Sequence, residues 1–399
     1  MLCSYQRLFA VSAQLFQKIQ PMTTRPAIHD QGARPARRSP LFFRLVLTFG
    51  LAALLSFRLT WEFKSPVGQW VTVACCALTA ATSLQLWRER RRALGGAFSA
   101  QGIGRLALFT AGLWLAALSG VTLWLAHNRA EGLVHPQRAL PDCLPEAAGL
   151  IGYETVSFRS SDGLRLYGWH APSRNSAAVI LVHGHAGNRC GLLPEAAWLA
   201  AQGYGVLFYD SRNSGESEGA LSTFGLLEVN DVRGAVDFIA ARPGVDPRRI
   251  GLLGHSQGGG TVILAGARIP QVSAVAAESA YTSLEDNISS GVEQLTGLPP
   301  FPFAPLVVFF AQQATGMDIT QVRPVDEIAS ISPRPLLLVH GEQDETILVA
   351  NAYRLYAAAQ EPKELYIVPN AGHCCFPEIG AAPYRQRLLD FFRRALLEP

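Results

Sequence analysis

The sequence predicts an α/β fold, in which a mainly parallel sheet of eight strands carries helices on both faces, preceded by a region of membrane-spanning helices. Three observations predict this architecture. Strand-length apolar runs alternate with helix-length segments from residue 153 onward, a glycine-rich turn joins one strand to a helix, and long uncharged runs lie before residue 127. The predicted divisions are a basic arm at 1–40, a transmembrane region of about three helices at 41–127, a linker at 128–150 and one domain at 151–399.

The transmembrane region is predicted from uncharged apolar runs. Residues 66–87 and 106–126 contain no charged side chain, and each run is long enough to cross about 30 Å of hydrocarbon as a helix. A further candidate, 41–61, carries Arg44 and Arg58 near its ends, from which both can reach the membrane interfaces. Any one run could be a buried helix of a soluble protein, but three in succession favour membrane spans.

Arginines predict the orientation of these spans. The basic arm and the second connection are rich in arginine, whereas the first connection, 62–65, has one acid and one base. Under the positive-inside rule three spans leave the domain outside the cytoplasm, and two spans would return it to the cytoplasm if 41–61 does not span. With only three lysines, the arginine bias suggests a GC-rich bacterial genome, so the predicted location is a bacterial inner membrane with an extracytoplasmic domain.

The composition is consistent with a membrane region joined to one globular domain. The chain has 399 residues, of which 49% are hydrophobic, and a formal charge of +3. This charge is too small, and its arginines lie too close to the predicted spans, to indicate a nucleic-acid partner. The expected partners are therefore the lipid bilayer and a small-molecule substrate.

The domain begins with a hairpin and continues with alternating strands and helices. Asp162-Gly163 is a strong hairpin signal between its first two strands. The predicted strands are 153–159, 164–170, 178–183, 206–210, 249–254, 272–277, 335–340 and 364–368. Within 226–241, apolar residues at helical spacing predict a stripe that faces the core, namely Val229, Val232, Val236 and Ile239.

A GxSxG pattern around Ser256 follows the fifth predicted strand. Gly254 and Gly258 flank the serine, and the helix-compatible stretch 260–267 comes next. This context predicts a nucleophile elbow, a sharp strand-to-helix turn that holds the serine in a strained conformation at the end of the sheet. The pattern alone is weak, since such a turn can simply pack or can bind phosphate on its amides.

A serine hydroxyl needs a base to remove its proton, and the base needs an orienting acid. Asp344 follows the strand at 335–340, and His373 follows the strand at 364–368. Both candidates therefore lie beyond strand ends, where open α/β sheets place their ligands and chemistry. The sequence predicts Ser256 as nucleophile, His373 as base and Asp344 as acid.

Other side chains near these positions are alternatives. Glu342 and Glu345 could replace Asp344, although both are also consistent with simple solvent exposure. His255 adjoins the serine, but neighbouring side chains diverge on a sharp turn, which favours a packing role. His340 ends a strand and is expected to stabilise the loop that follows.

An oxyanion hole is expected from the loop after the third strand and from the amide after the nucleophile. The strand at 178–183 leads into a His-Gly-His turn, and this predicts the backbone amides of His185 and Gln257 as donors. The side chains of His183 and His185 raise the alternative of a metal site. No further His or Cys follows at ligand spacing, so the sequence predicts neither a metal nor a cofactor.

Residues 153–397 resemble an α/β-hydrolase domain and are similar to the membrane-associated serine hydrolases. That group includes depalmitoylating enzymes, monoacylglycerol lipase-like enzymes and bacterial serine aminopeptidase-like proteins. The resemblance implies an α/β-hydrolase fold and a Ser-Asp-His triad. One departure, Asn213-Ser214 where relatives commonly carry Arg-Gly, affects a structural loop. The matching pieces are the turn at 183–188, Tyr209-Asp210-Ser211-Arg212 with Gly215 and Ser217, the elbow at 254–259, Glu278-Ser279, the turn at 341–344 and Gly372-His373.

The segment between the sixth and seventh strands, about 281–331, is too long for a simple crossover. It contains the apolar stretch 298–310 and lies where these hydrolases carry a cap over the active site. An apolar cap suggests an apolar substrate such as an acyl ester. The alternative is that its aromatic residues only pack the cap onto the core.

Four cysteines lie in or near the domain, Cys143, Cys190, Cys374 and Cys375. A disulfide is compatible with an extracytoplasmic domain, but the sequence leaves the pairing open. Cys374 adjoins the predicted base, and with Ser256 in place we expect it to be buried by packing in the loop.

The sequence thus predicts a membrane-anchored serine hydrolase that cleaves an ester, thioester or amide through an acyl-enzyme. Its substrate would be an acyl ester, a lipid or a peptide-like molecule. Two alternatives remain. An acyltransferase could use the same triad, and a non-catalytic membrane protein could have retained the fold.

Overall fold

A computed structural model describes residues 100–297, 299–374, 376–379 and 381–398. Eight strands form a single sheet. Every predicted strand is present, and each boundary lies within one residue of its predicted position. The strands are β1 Glu154–Arg159, β2 Arg165–Ala171, β3 Ala178–Val182, β4 Gly205–Tyr209, β5 Ile250–His255, β6 Val272–Glu278, β7 Leu336–Gly341 and β8 Lys363–Val368.

In the described part of the chain, one α-helix precedes the sheet, others connect its strands, and the last two follow β8. Their bounds are α1 Ala100–Val134, α2 Leu193–Ala201, α3 Glu228–Ala240, α4 Gln257–Arg268, α5 Leu284–Thr296, α6 Pro300–Thr315, α7 Pro324–Glu327, α8 Ala350–Ala358, α9 Phe376–Ile379 and α10 Ala381–Phe392.

The strand order confirms the predicted mainly parallel sheet. It runs β1-β2-β4-β3-β5-β6-β7-β8, with β1 and β2 antiparallel to their neighbours and every other pair parallel. The elbow strand β5 is therefore central. Register pairs Val182 with Gly254, and His255 with Glu278, so the carboxyl ends of β3, β5 and β6 meet at one edge.

Helices cover both faces of the sheet, as predicted. Successive residues of a strand point to opposite faces, so Leu252 packs on one side with α3 and α4, while Leu253 packs on the other with α2 and α10. The predicted stripe on α3 is buried against the first of these faces. The buried apolar residues of the central strands form the core.

Residues before 100 lie outside the described part of the chain. The predicted basic arm and the predicted spans 41–61 and 66–87 fall there. The third predicted span, 106–126, falls within α1. Across the ranges that the structure describes, no helix combines the length and the apolar character needed to cross a bilayer.

The segment between β6 and β7 forms a helical layer with α1. It contains α5 and α6, which pack against each other, and α1 packs along α6. The C-terminal end of α1 is buried in this arrangement, with Ala126, Ala130 and Val134 each nearly inaccessible to solvent. Helix α1 therefore belongs structurally to the domain at its C-terminal end and extends into the stretch predicted as linker.

The rest of the linker is attached to loops at the carboxyl edge of the sheet. Cys143 and Cys190 form a disulfide with a Cα–Cα distance of 5.9 Å. Arg138 donates to Asn213 Oδ1 at 3.3 Å and to the carbonyl of Ser217 at 2.8 Å. Asn213, which departs from the pattern of the resembling hydrolases, thus contributes a contact to the linker.

Candidate active site

Ser256 lies at the sharp turn between β5 and α4. Its backbone has φ 58° and ψ −116°, a conformation that is strained for a residue with a side chain. The flanking glycines permit the turn. A Cβ on Gly254 would lie 2.2 Å from the carbonyl oxygen of Gly258, and a Cβ on Gly258 would lie 2.0 Å from that of Val182. The turn therefore has the geometry expected of a nucleophile elbow.

Two loops bring the predicted base and acid to this serine. His373 follows β8 and places Nε2 2.9 Å from Ser256 Oγ, while its Nδ1 lies 2.8 Å from Asp344 Oδ2. Asp344 follows β7, and its side chain is buried. The three candidates are thus linked by two hydrogen bonds in the order acid, imidazole, hydroxyl.

Asp344 is held as a carboxylate by its surroundings. Burial acts to raise its pKa, but hydrogen bonds from His340 and His373 outweigh burial and hold the pKa well below the usual range. The amides of Thr346 and Ile347 also donate to Oδ1 at 2.9 and 2.8 Å. Asp344 is therefore ionised at neutral pH and can stabilise an imidazolium.

Among the contacts of the described residues, neither alternative acid is hydrogen-bonded to His373. Glu342 accepts a hydrogen bond from the amide of Asn370 at 3.0 Å, and Glu345 is exposed in the wall of a cavity. His340 lies behind the acid, with Nε2 3.2 Å from Asp344 Oδ2 and 2.6 Å from the carbonyl of Ile347. Its expected role in stabilising the loop therefore includes a direct contact with the predicted acid.

His255 packs beside the base. Its ring centroid is 5.2 Å from that of His373, and burial lowers the pKa of His255 to about 4. The imidazole is consequently neutral at physiological pH. This arrangement agrees with the packing role expected for His255.

The predicted oxyanion loop lies against the elbow. A Cβ on Gly184 would be 3.3 Å from the Cβ of Ser256. Gln257 is the first residue of α4, where a helix leaves amides without internal partners. In the part of the chain that the structure describes, the amide of His185 donates no hydrogen bond. Both predicted donors are therefore available near Ser256.

The side chains of this loop are engaged with the protein. His183 Nε2 accepts from the amide of Ser211 at 3.0 Å, and its Nδ1 lies 2.7 Å from the carbonyl of Gly184. His185 Nδ1 lies 2.9 Å from Gln257 Oε1, and its ring stacks on Phe224 with centroids 4.6 Å apart. The two predicted oxyanion residues are thus joined through their side chains, a contact that the sequence did not reveal.

A buried polar cluster supports the elbow from behind. The amide of Ser256 donates to the carbonyl of Glu278 at 2.8 Å. The hydroxyl of Tyr384 donates to Glu278, and it lies 3.0 Å from Glu195 Oε1. Burial, together with Glu278, raises the pKa of Glu195 to about 8. Of this cluster only Glu278 stood out in the sequence, because nothing near Glu195 or Tyr384 forms a motif.

A cavity of about 640 Å³ lies beside the site. It is enclosed by α1, the α5–α6 layer and the loop that follows Asp344. Phe224, which stacks on His185, forms part of its wall, as do Glu345 and Thr346. The cap segment predicted from the sequence therefore contributes to a cavity, and α1 contributes as well.

Comparisons with known proteins relate this chain to a family and a fold. Residues 192–398 match the model of the prolyl oligopeptidase family. The uncharacterized protein YfhR of Salmonella typhi is 32% identical over 251 residues, which cover 61% of this chain and 82% of that protein. The polyketide transferase ATR5 of Stachybotrys chlorohalonatus is 26% identical, covering 61% of this chain and 97% of its own.

A solved structure shares the fold. The Pyrococcus furiosus esterase PF2001 aligns with a TM-score of 0.57 at 23% identity, covering 66% of this chain and 98% of the esterase. This confirms the predicted α/β-hydrolase fold, while the narrower resemblance to membrane-associated serine hydrolases stays a prediction. The matched segment contains Ser256, Asp344 and His373. Because the family model covers more than half of the 399 residues, the chain belongs to the prolyl oligopeptidase family and is a hydrolase of the α/β-hydrolase superfamily.

Proposed function

We propose that this protein is a serine hydrolase that cleaves a carboxylic ester or thioester through an acyl-enzyme. The observation that carries the proposal is the pair of hydrogen bonds joining Ser256 to His373 and His373 to Asp344. A buried, ionised carboxylate and a strained serine at a strand end complete the arrangement needed for nucleophilic catalysis.

In the proposed reaction Ser256 Oγ attacks the substrate carbonyl while His373 Nε2 takes the hydroxyl proton. The amides of His185 and Gln257 stabilise the oxyanion, and Asp344 stabilises the imidazolium. The imidazolium then protonates the leaving alcohol or thiol as its bond to the carbonyl carbon breaks. Water, deprotonated by His373, attacks the acyl-enzyme, and the released serine recovers its proton. An amide could follow the same steps with an amine as leaving group.

Labelling with a fluorophosphonate probe tests the nucleophile. The full-length protein is expected to react, and Ser256→Ala is expected to lose all labelling. Ser157→Ala, which removes an exposed hydroxyl from β1, is the matched control and should label normally. Labelling that persists in Ser256→Ala would exclude this serine, and a wild-type protein that reacts with no serine probe would instead favour a non-catalytic role.

An acyltransferase is the second candidate, since ATR5 is named as a transferase. The same acyl-enzyme would form, and an alcohol or amine would replace water in the second step. Product analysis separates the two functions. A hydrolase should release free acid when an acceptor alcohol is present, whereas an acyltransferase should yield mostly the transferred ester.

We also propose that the domain is anchored at a bacterial inner membrane on its extracytoplasmic side. The apolar runs and the arginine distribution support this location, as do exposed apolar side chains of α1, including Leu115 and Leu118. The Cys143–Cys190 disulfide suits an oxidising compartment. Reporters fused to the C-terminus test the topology: alkaline phosphatase should be active there, and fluorescence of a cytoplasm-dependent reporter would contradict the proposal.

A further inference from the structure

The cavity beside the site is built to hold an apolar group. Its volume of about 640 Å³ falls in the range of small-molecule pockets. Apolar side chains from α1, α5 and α6 and from the loop before α3 form most of its wall, including Leu125, Leu133, Phe224, Ile288, Phe303 and Val307. The inference below rests on the proposed function, because it concerns the substrate of that same site.

Helix α1 supplies one side of the cavity through a single face. Leu125, Arg129 and Leu133 recur every four residues, a spacing that aligns side chains along a helix. The cavity extends to the predicted oxyanion loop, since Phe224 lines the same cavity and stacks on His185. Arg129 therefore places a positive charge in the wall of a cavity that extends to the predicted oxyanion loop.

Arg129 lacks a counter-ion. Among the residues that the structure describes, none forms a hydrogen bond or an ion pair with its guanidinium. Two other arginines near the site are paired, Arg189 with Asp210 at 2.8 Å and Arg212 with Asp231 at 2.7 Å. Arg129 is exposed and lines the cavity, so its guanidinium is accessible to a ligand bound there. An accessible, unpaired guanidinium can bind a carboxylate or phosphate through charge-assisted hydrogen bonds.

Other polar groups line the same cavity. The Nε2 of Gln294 is buried and has no hydrogen-bond partner in the described part of the chain, so a second donor is unsatisfied. Glu345 also lines the cavity but forms no ion pair with Arg129 among the described contacts. An apolar wall with an unpaired guanidinium and an unpaired amide donor suits an amphipathic ligand that carries an anionic group.

We propose that Arg129 is a specificity-determining residue that binds the carboxylate or phosphate of an amphipathic substrate whose apolar part occupies the cavity. Charge-assisted hydrogen bonds from the guanidinium would orient the ester toward Ser256. Substrates without an anionic group would enter the same cavity but lose this contact.

Matched substrates test the proposal. The mono-p-nitrophenyl ester of adipic acid keeps a free carboxylate, and p-nitrophenyl hexanoate has the same acyl length without it. Arg129→Gln should lower kcat/KM for the carboxylate ester by about 10- to 100-fold, the size expected for losing a hydrogen bond to a charged group. It should leave the neutral ester within about twofold, and Arg129→Lys should restore part of the preference.

Arg248→Gln is the matched control, because this exposed arginine precedes β5 at the opposite end of the strand from Ser256 and its loss removes one charge without touching the cavity. It should leave both esters unchanged. Equal loss on both esters in Arg129→Gln, with thermal unfolding unchanged, would overturn the proposal. Parallel assays with lysophosphatidate distinguish a phosphate from a carboxylate as the preferred anion.

Binding without turnover separates this inference from the proposed function. In Ser256→Ala, calorimetry with the hexyl amide of adipic acid should detect binding that weakens at least about 10-fold when Arg129→Gln is added. Binding that depends on Arg129 in a protein unreactive to serine probes would sustain the site and refute the hydrolase. Reaction with serine probes, together with binding that does not depend on Arg129, would support the hydrolase and refute the anion site.

Discussion

The imidazole Nε2 of His373 lies 2.9 Å from the hydroxyl of Ser256, although 117 positions separate them in the sequence. Parallel strands create this proximity, because β5 and β8 both end at the same edge of the sheet. The loops beyond that edge converge at the end of the central strand. A strained serine and a distant histidine are thus joined by topology.

Replacing Asp344 with Asn tests the acid. The variant should keep the fold but lose the charge that stabilises the imidazolium, and kcat should fall by about 10⁴-fold. Steady-state hydrolysis of a nitrophenyl ester measures the effect. Glu342→Gln is the control, since this carboxylate contacts the amide of Asn370 and is expected to stay within about threefold of wild type. A larger loss in Glu342→Gln than in Asp344→Asn would reverse the assignment.

The elbow glycines should be intolerant of any side chain. A Cβ on Gly258 would lie 2.0 Å from the carbonyl oxygen of Val182, which is backbone and cannot move aside cheaply. Gly258→Ala should therefore lower the free energy of unfolding by several kcal/mol, or prevent folding, and should abolish labelling of Ser256. Urea unfolding and probe labelling measure the two effects. Gly120→Ala, where a Cβ would meet nothing within 4 Å, should be neutral or mildly stabilising.

Much of this site could be predicted from sequence because its chemistry resides in local patterns. The elbow around Ser256 is a contiguous motif, and Asp344 and His373 follow apolar strands whose ends are visible in the sequence. The three residues occur along the chain in the order Ser256, Asp344, His373, which is the order of the triad in α/β-hydrolases. The same logic located the oxyanion loop, since it too follows a buried strand.

The supporting contacts could not be predicted, because they join segments that carry no pattern. Nothing in the sequence pairs Cys143 with Cys190 or places Tyr384 between Glu195 and Glu278. The wall that α1 contributes was also missed. Its long uncharged apolar run suggested a membrane span, and the packing of its C-terminal end on the cap depends on tertiary contacts far along the chain.

The buried Glu195 should make stability depend on pH. Its pKa in the folded protein is about 8, against an ordinary value of 4.5, because burial and Glu278 disfavour the charged form. The folded state thus retains a proton that the unfolded chain releases. The contribution of Glu195 to the free energy of unfolding should therefore be most favourable below pH 4.5 and should fall as the pH rises toward 8.

Chemical denaturation between pH 5 and 8 measures how steeply the free energy of unfolding falls with pH. This range lies between the ordinary pKa of Glu195 and its raised pKa. Glu195→Gln removes this titrating group and should make the profile shallower, while Glu278, whose pKa burial raises to about 7, continues to titrate in the same range. Glu293→Gln on the exposed side of α5 should reproduce the wild-type slope. A profile in Glu195→Gln as steep as that of wild type would show that another group dominates this range.

The Cys143–Cys190 disulfide should stabilise the edge of the site that faces the linker. It closes a loop with a sequence separation of 47, for which the chain-entropy model gives about 4 kcal/mol. The double variant Cys143→Ser with Cys190→Ser should therefore lower the free energy of unfolding by about 2–4 kcal/mol, as measured by urea denaturation. Dithiothreitol should destabilise the wild-type protein by a similar amount and leave the double variant unchanged.

Because Cys190 follows the turn that carries His185, probe labelling of Ser256 should also slow when the disulfide is absent. An unchanged unfolding curve after verified reduction would show that the hydrogen bonds of the linker, including those of Arg138 and the bond from Asn188 to the carbonyl of Ala139, hold it without the disulfide.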